Sequence, residues 1–233
     1  MGAQHANTVA AVVFDMDGVL VESEHLWEEM WTRYTARHGY EWGPRDTTTV
    51  QGMSAPEWAA YLAEVTATSD SVELVERTVV DDMVEALSAG RIDLLDGARD
   101  MVVEVSSRVP IALASSAPRR LIDAVLAGNG LTDRFTATVS SAEVPQGKPN
   151  PDVYEQAARR LGVVGARCAA VEDSSNGLRA AHAAGMTVIA IPNPTYPPKP
   201  DAVDKASVVA TTLDGVRRSL LELTPSVMDQ ESA

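Results

Sequence analysis

Cysteine is nearly absent. Cys168 is the single one among 233 residues, which excludes a disulfide framework and a cysteine-built metal site within one chain. Positive charge is scarce: 19 Lys and Arg stand against 33 Asp and Glu, a net charge of −14. No basic stripe is available to neutralise a row of phosphates, so no nucleic acid is expected as a partner. No apolar run approaches the roughly 20 residues of a membrane span, and no membrane partner is expected either. Residues 1–8 are polar and carry neither the basic segment nor the apolar core of a secretion signal. The expectation is a cytoplasmic protein. Repeats and low-complexity tracts are missing as well. What is present, 45% hydrophobic and 22% charged residues, is the composition of an ordinary globular chain. The length suits one large domain or two modest ones.

Short apolar, β-branched runs recur at 9–14, 111–114, 137–139, 168–171 and 188–191, with a weaker one at 207–209. Continuous runs of this kind suit strands buried on both faces of a parallel sheet. Helical patterns separate most of them. Pro118 and Pro151 sit where a first turn begins, Asn150 is an expected N-cap, and Gly162 and Gly185 mark helix ends. The alternation predicts an α/β fold with a doubly wound, mostly parallel sheet, a Rossmann-like core.

Residues 23–95 break that rhythm. Leu26, Trp27, Met30, Trp31 and Tyr34 recur at helical spacing, Ser54 and Glu57 form a capping box, and Val72, Val75, Val79, Met83 and Leu87 mark a further helix. We read a small all-helical cap domain, 23–95, inserted after the first strand into a core made of 1–22 and 96–233. Hinges are expected at 21–24 and 94–97. Glu73, Glu76, Asp81, Asp82 and Glu85 read as a solvated helix face.

In open α/β sheets ligands bind beyond the carboxyl ends of the strands. Asp15 and Asp17 follow the first strand, with Gly18 permitting a tight turn; Ser115 and Ser116 follow the second; Lys148 comes after the third, and Glu172 and Asp173 after the fourth. Gathered at one edge, these carboxylates cannot all be anions without a cation among them. A hard divalent ion with oxygen ligands, Mg²⁺, is the expected cofactor. Lys148, Ser115 and backbone N–H groups suit phosphoryl oxygens. The pattern points to phosphoryl transfer on a small phosphorylated metabolite.

Asp15, Met16, Asp17, Gly18 and Val19, with Ser115, Lys148 and the Glu172–Asp173 pair, resemble the four motifs of the haloacid-dehalogenase-like hydrolases. The wording over 147–152 and 171–174 is similar to the β-phosphoglucomutase-like subgroup with a helical cap. The resemblance covers residues 10–221. It implies Asp15 as nucleophile forming an aspartyl-phosphate, ionised at neutral pH by its ordinary pKa. It implies Asp17 as general acid and base. Asp15, Asp17 (through its carbonyl), Glu172 and Asp173 become the metal ligands, and Ser115, Ser116 and Lys148 the phosphate binders. Glu22, Ser23 and His25 are expected at the substrate entrance, and Gln51, Met53 and Ser54 as specificity residues on a cap loop. Trp27 and Trp31 are read as cap core.

Two positions depart from the mutase. Where the resemblance places an arginine that grips a distal phosphate stands Ala55, and its cap histidine falls at or beside Trp27. The reading is therefore a Mg²⁺-dependent phosphatase acting as a monomer on a sugar or polyol phosphomonoester, with a phosphomutase as the alternative. A dehalogenase has no use for the acidic pair, and a receiver-like domain has no insert after its first strand.

Overall fold

The computed structural model describes residues 8–50 and 53–225. Its strands are β1 (Ala11–Phe14), β2 (Ile111–Ser115), β3 (Ala137–Ser140), β4 (Cys168–Glu172), β5 (Thr187–Ala190) and β6 (Val208–Val209). They form one sheet in the order β3-β2-β1-β4-β5-β6, every pair parallel. The central strand β1 lies between β2 and β4, so the chain winds outward in opposite directions from it. That is a topological switch point, where a crevice opens at the carboxyl ends.

Both sheet faces are covered. Val12 and Phe14 share one face with Ile111, Leu113, Val171 and Ile189; Ala11 and Val13 share the other with Ala112, Ala114, Ala170 and Val188. The first face packs on α5 (Ala98–Ser106), α6 (Arg119–Gly128) and α10 (Leu213–Leu223). The second packs on α7 (Asp152–Leu161), α8 (Ser175–Ala183) and α9 (Pro200–Val203). The strands β1, β2 and β4 read as largely apolar runs because neither face meets water.

Four helices lie between β1 and α5: α1 (Glu24–Arg37), α2 (Pro44–Val50), α3 (Ala55–Thr66) and α4 (Val72–Ser88). The inward stripe of α1 is Leu26, Trp27, Met30, Trp31 and Tyr34, all buried. Ser54 and Glu57 close the capping box that opens α3. The two segments joining these helices to the sheet run side by side. Val21 and Leu94 form an antiparallel bridge, Glu22 N donates to Asp93 O at 3.3 Å, and Leu95 N donates to Leu20 O at 2.9 Å.

Two local expectations are corrected, and one helix is new. Pro151, not Asn150, precedes α7, and the Asn150 amide instead donates to Gly147 O at 3.2 Å. Part of the acidic face of α4 is paired: Asp81 binds Arg120 of α6, while Asp82 lies 3.7 Å from Arg33 and from Arg37. The helix α2 has no sequence counterpart, because it is held by polar contacts. Asp46 accepts from Gly43 N, Tyr40 and Tyr61 at 2.8, 3.0 and 2.6 Å, which an apolar period cannot reveal.

Candidate active site

Asp15 is the residue after β1 and is 6% exposed. Its N–H continues the ladder by donating to Val171 O at 3.0 Å. The chain then turns tightly: Leu20 N donates to Met16 O at 2.8 Å, and Gly18 N to Val21 O at 2.9 Å. Gly18 is required twice over. Its φ is +75°, and a Cβ there would stand 2.0 Å from Asp173 Oδ2. The turn brings Asp17 beneath the start of α1. There its Oδ1 accepts from the Ser23 hydroxyl and, at 3.2 Å, from Trp27 Nε1. Trp27 is thus both packed in the cap, as expected, and part of the site.

Lys148 enters from the loop after β3. Its Nζ donates to Asp15 Oδ1 at 2.8 Å and to Glu172 Oε1 at 2.6 Å, and sits 5.1 Å from the centre of the Tyr154 ring. Glu172, at the end of β4, is fully buried and accepts five donors: Lys148 and Tyr154 OH on Oε1, and Asp173 N, Ser174 N and Ser174 Oγ on Oε2. It reaches them over Gly177, the third residue of α8. A Cβ at that position would lie 1.7 Å from Oε1.

Burial raises several of these carboxyls. Desolvation pushes Asp15 up to about 8, against the pull of Lys148 and with further upward pushes from Glu172 and Asp17. Asp17 is raised by desolvation, opposed by hydrogen bonds from Ser23 and Trp27. Asp173 is raised well above the ordinary carboxylate range by burial and by Glu172, and Glu24 is raised to about 7. The ordinary pKa expected for Asp15 from sequence is therefore corrected upward: burial raises the group, and Lys148 offsets only part of that push.

A divalent ion fits that deficit. Oxygens of Asp15, Glu172 and Asp173 lie within 4.8 Å of one another, all three side chains buried. Asp173 Oδ2 is buried with no hydrogen-bond partner, an acceptor aimed at something other than protein. The donor set is oxygen only, which suits Mg²⁺ or Ca²⁺ over softer ions. Glu172 already accepts five donors, so Asp15 and Asp173 offer the more available oxygens. The Asp17 carboxylate is not part of this cluster, because it turns toward α1.

Above the cluster a cavity of about 730 Å³, counted with its open mouth, runs to the cap helices. Of the expected residues, Asp15, Asp17, Ser116, Lys148, Asp173 and Met53 line it. Ser115 lies behind the surface, fully buried, its Oγ accepting Ala117 N at 3.0 Å. Glu22 and His25 do not reach the cavity. They pair with each other at 2.5 Å, half-exposed, because residues 24, 27 and 31 take the inward face of α1. Ser54 is tied to Glu57 and meets the core only near Gly147. Gln51 lies outside the described residues. Missed altogether were Glu24 and Tyr154; Tyr196 lies in the proline-rich loop 192–200, which reads from sequence as a flank of the site, but was not singled out within it. Asn193 donates to Glu24 at 2.9 Å and Tyr196 to Glu28 at 2.6 Å, so the loop after β5 clasps α1. The spacing 24, 27, 31 marks Glu24; no local pattern marks the other two.

A parallel sheet with acidic strand ends, a buried lysine and a helical cap over the cavity defines a capped α/β hydrolase core. Residues 9–185 match the family model of haloacid dehalogenase-like hydrolases, and the chain belongs to that family. Hexitol phosphatase B of Escherichia coli (strain K12) is 34% identical over 192 residues, 80% of this chain and 85% of that protein. The bifunctional riboflavin kinase/FMN phosphatase of Arabidopsis thaliana is 29% identical over 92% of this chain, which spans about half, 54%, of that protein's length. Among solved structures, CbbY from Rhodobacter sphaeroides in complex with phosphate matches with a TM-score of 0.79 at 25% identity, over 88% of this chain and 95% of that one. Among the described residues no helix is long and apolar enough to cross a membrane.

Proposed function

We propose that the chain is a Mg²⁺-dependent phosphatase that hydrolyses a small phosphomonoester of the sugar or polyol kind through an aspartyl-phosphate on Asp15. The observation that carries this reading is the Asp15–Lys148–Glu172 chain at the carboxyl end of β1, with contacts of 2.8 and 2.6 Å, beside the unpartnered Asp173 Oδ2. A carboxylate oxygen of Asp15 attacks phosphorus, and the bond from phosphorus to the alcohol oxygen breaks. Asp17, its pKa raised by burial, gives its proton to the departing oxygen. It then takes a proton from the water that attacks the acyl phosphate, and phosphate leaves with Asp15 restored. Lys148 holds Asp15 in place and offers positive charge to the phosphoryl oxygens, with Ser116 beside them at the cavity surface and Ser115 behind. Asp15 and Asp173 would hold Mg²⁺, which neutralises phosphoryl charge.

The relatives named as phosphatases support the hydrolytic outcome. So does the cap. Ala55 is buried, and Lys148 is the single cation lining the cavity among the described residues, so nothing on the cap side matches the second phosphate a mutase must hold. The test is phosphate release from a panel of sugar and polyol phosphates by native and Asp15→Asn protein, in Mg²⁺ and in EDTA. Release that needs both the metal and Asp15 is the expected result. Isomerisation of β-glucose 1-phosphate with bisphosphate present, and no release, would overturn the reading in favour of a mutase.

A further inference from the structure

The cap wall of the cavity differs from its floor. Trp27 and Trp31 stack with ring centres 5.7 Å apart, and Trp58 lies 5.8 and 6.2 Å from them. All three indoles line the cavity together with Glu24, which shares the inward face of α1 with Trp27 and Trp31. Glu24 Oε2 accepts from Asn193 Nδ2, and no cation pairs with this carboxylate among the described residues. The one lysine at the cavity is held at the floor between Asp15 and Glu172. On the cap side the departing alcohol therefore meets three indole rings, with Tyr196 beside them, one carboxylate and no positively charged side chain.

That wall selects by charge. A second anionic group on the substrate would face Glu24 in a low-dielectric cavity with nothing to offset the repulsion. A neutral polyol needs donors as well as acceptors, and the wall's donors are engaged or shut in: Trp27 Nε1 bonds Asp17, the Thr47 hydroxyl bonds Glu28, and Trp31 Nε1 is buried without a partner. A protonated or quaternary amine satisfies what remains, by an ion pair with the carboxylate and by cation–π attraction to the indoles. The geometry points to a phosphomonoester whose alcohol part carries a cationic amine, an amino-alcohol or amino-sugar phosphate, received by Glu24, Trp27, Trp31 and Trp58. The inference rests on the phosphatase reading for the fate of the phosphoryl group, while the binding preference stands apart from it.

Two matched pairs separate charge from shape. Phosphocholine is set against 3,3-dimethylbutyl phosphate, in which carbon replaces the quaternary nitrogen, and glucosamine 6-phosphate against glucose 6-phosphate. Calorimetry on Asp15→Asn protein in Mg²⁺ reads binding without turnover, and phosphate release by native protein reads kcat/KM. We expect about tenfold or greater preference for the cationic member of at least one pair, collapsing toward unity in Glu24→Gln and partly kept in Glu24→Asp. A ratio near one in both pairs, or a preference for the neutral member, overturns the inference. Cationic preference in binding without release from any ester keeps the amine site and removes the phosphatase reading. Release with no such preference does the reverse. Should Asp15→Asn not fold, inhibition of native p-nitrophenyl phosphate hydrolysis by choline against 3,3-dimethylbutanol gives the same comparison.

Discussion

Glu172 shows how a buried anion is made tolerable. Five donors converge on two oxygens, one of them the ammonium that also holds Asp15. A buried carboxylate that loses one such donor is left with part of its desolvation uncompensated. Tyr154→Phe removes a 2.8 Å bond from a fully buried phenol without changing the shape of the ring. It should cost about 1.5–3 kcal/mol in urea unfolding, and an unchanged midpoint would show that Glu172 does not depend on that donor. Gly177→Ala is the sharper probe. Its Cβ would fall inside the carboxylate, displacing Glu172 from Lys148, so phosphate release should drop by about 100-fold or more while far-UV circular dichroism keeps its helical shape. Activity within a few-fold of native would show that the carboxylate has room to move.

At the scale of elements, the loop after β5 and the helix α1 act on each other across the cavity mouth. The bonds from Tyr196 to Glu28 and from Asn193 to Glu24 fasten sheet domain to cap helices. Tyr196→Phe deletes one charge-assisted bond. KM for the substrate should rise about tenfold with kcat held or increased, because a less fastened cavity binds less tightly and releases faster. An equal fall in kcat with KM unchanged would instead place Tyr196 in the chemistry. This clasp also shows where sequence reading stops. Strands and the α1 stripe are written in local periods, and Asp15, Lys148 and Asp173 are found because strand ends carry them. Residues 193 and 196 lie some 170 positions from their partners in a proline-rich loop, and nothing nearby announces the contact. Glu22 and His25 erred in the other direction: their residue types suited the entrance, but the 100° turn per residue of α1 gave the inward face to Glu24, and Glu22, ahead of the helix, pairs with the outward His25.

For the whole molecule, the unbalanced acidic interior predicts how stability depends on pH. Carboxyls whose folded pKa lies above the unfolded value favour the folded state most when protonated, so their contribution is full below the ordinary carboxylate range and is lost as pH rises through about 7 for Glu24 and about 8 for Asp15. In EDTA, Tm should therefore fall between pH 5 and pH 8.5. Mg²⁺ should raise it by several degrees at pH 8 and by less at pH 5. A flat profile in EDTA would mean that the site relaxes or hydrates enough to keep its carboxylates ionised. The net charge of −14 belongs to the same account, since the excess of acid at the surface is matched by an excess within.

The bridge between Val21 and Leu94 bears on how the chain folds. β1 must find β2 across almost a hundred residues, and closing a flexible loop of that length carries an entropic cost that grows as the logarithm of its length. Once α1 to α4 have condensed and their two ends are zipped together, the separation felt by β1 and β2 shrinks to that of a single strand–helix–strand crossover through α5. The inserted helices then act as a splint for the sheet, bringing two strands almost a hundred residues apart about as close along the chain as its other neighbouring strands.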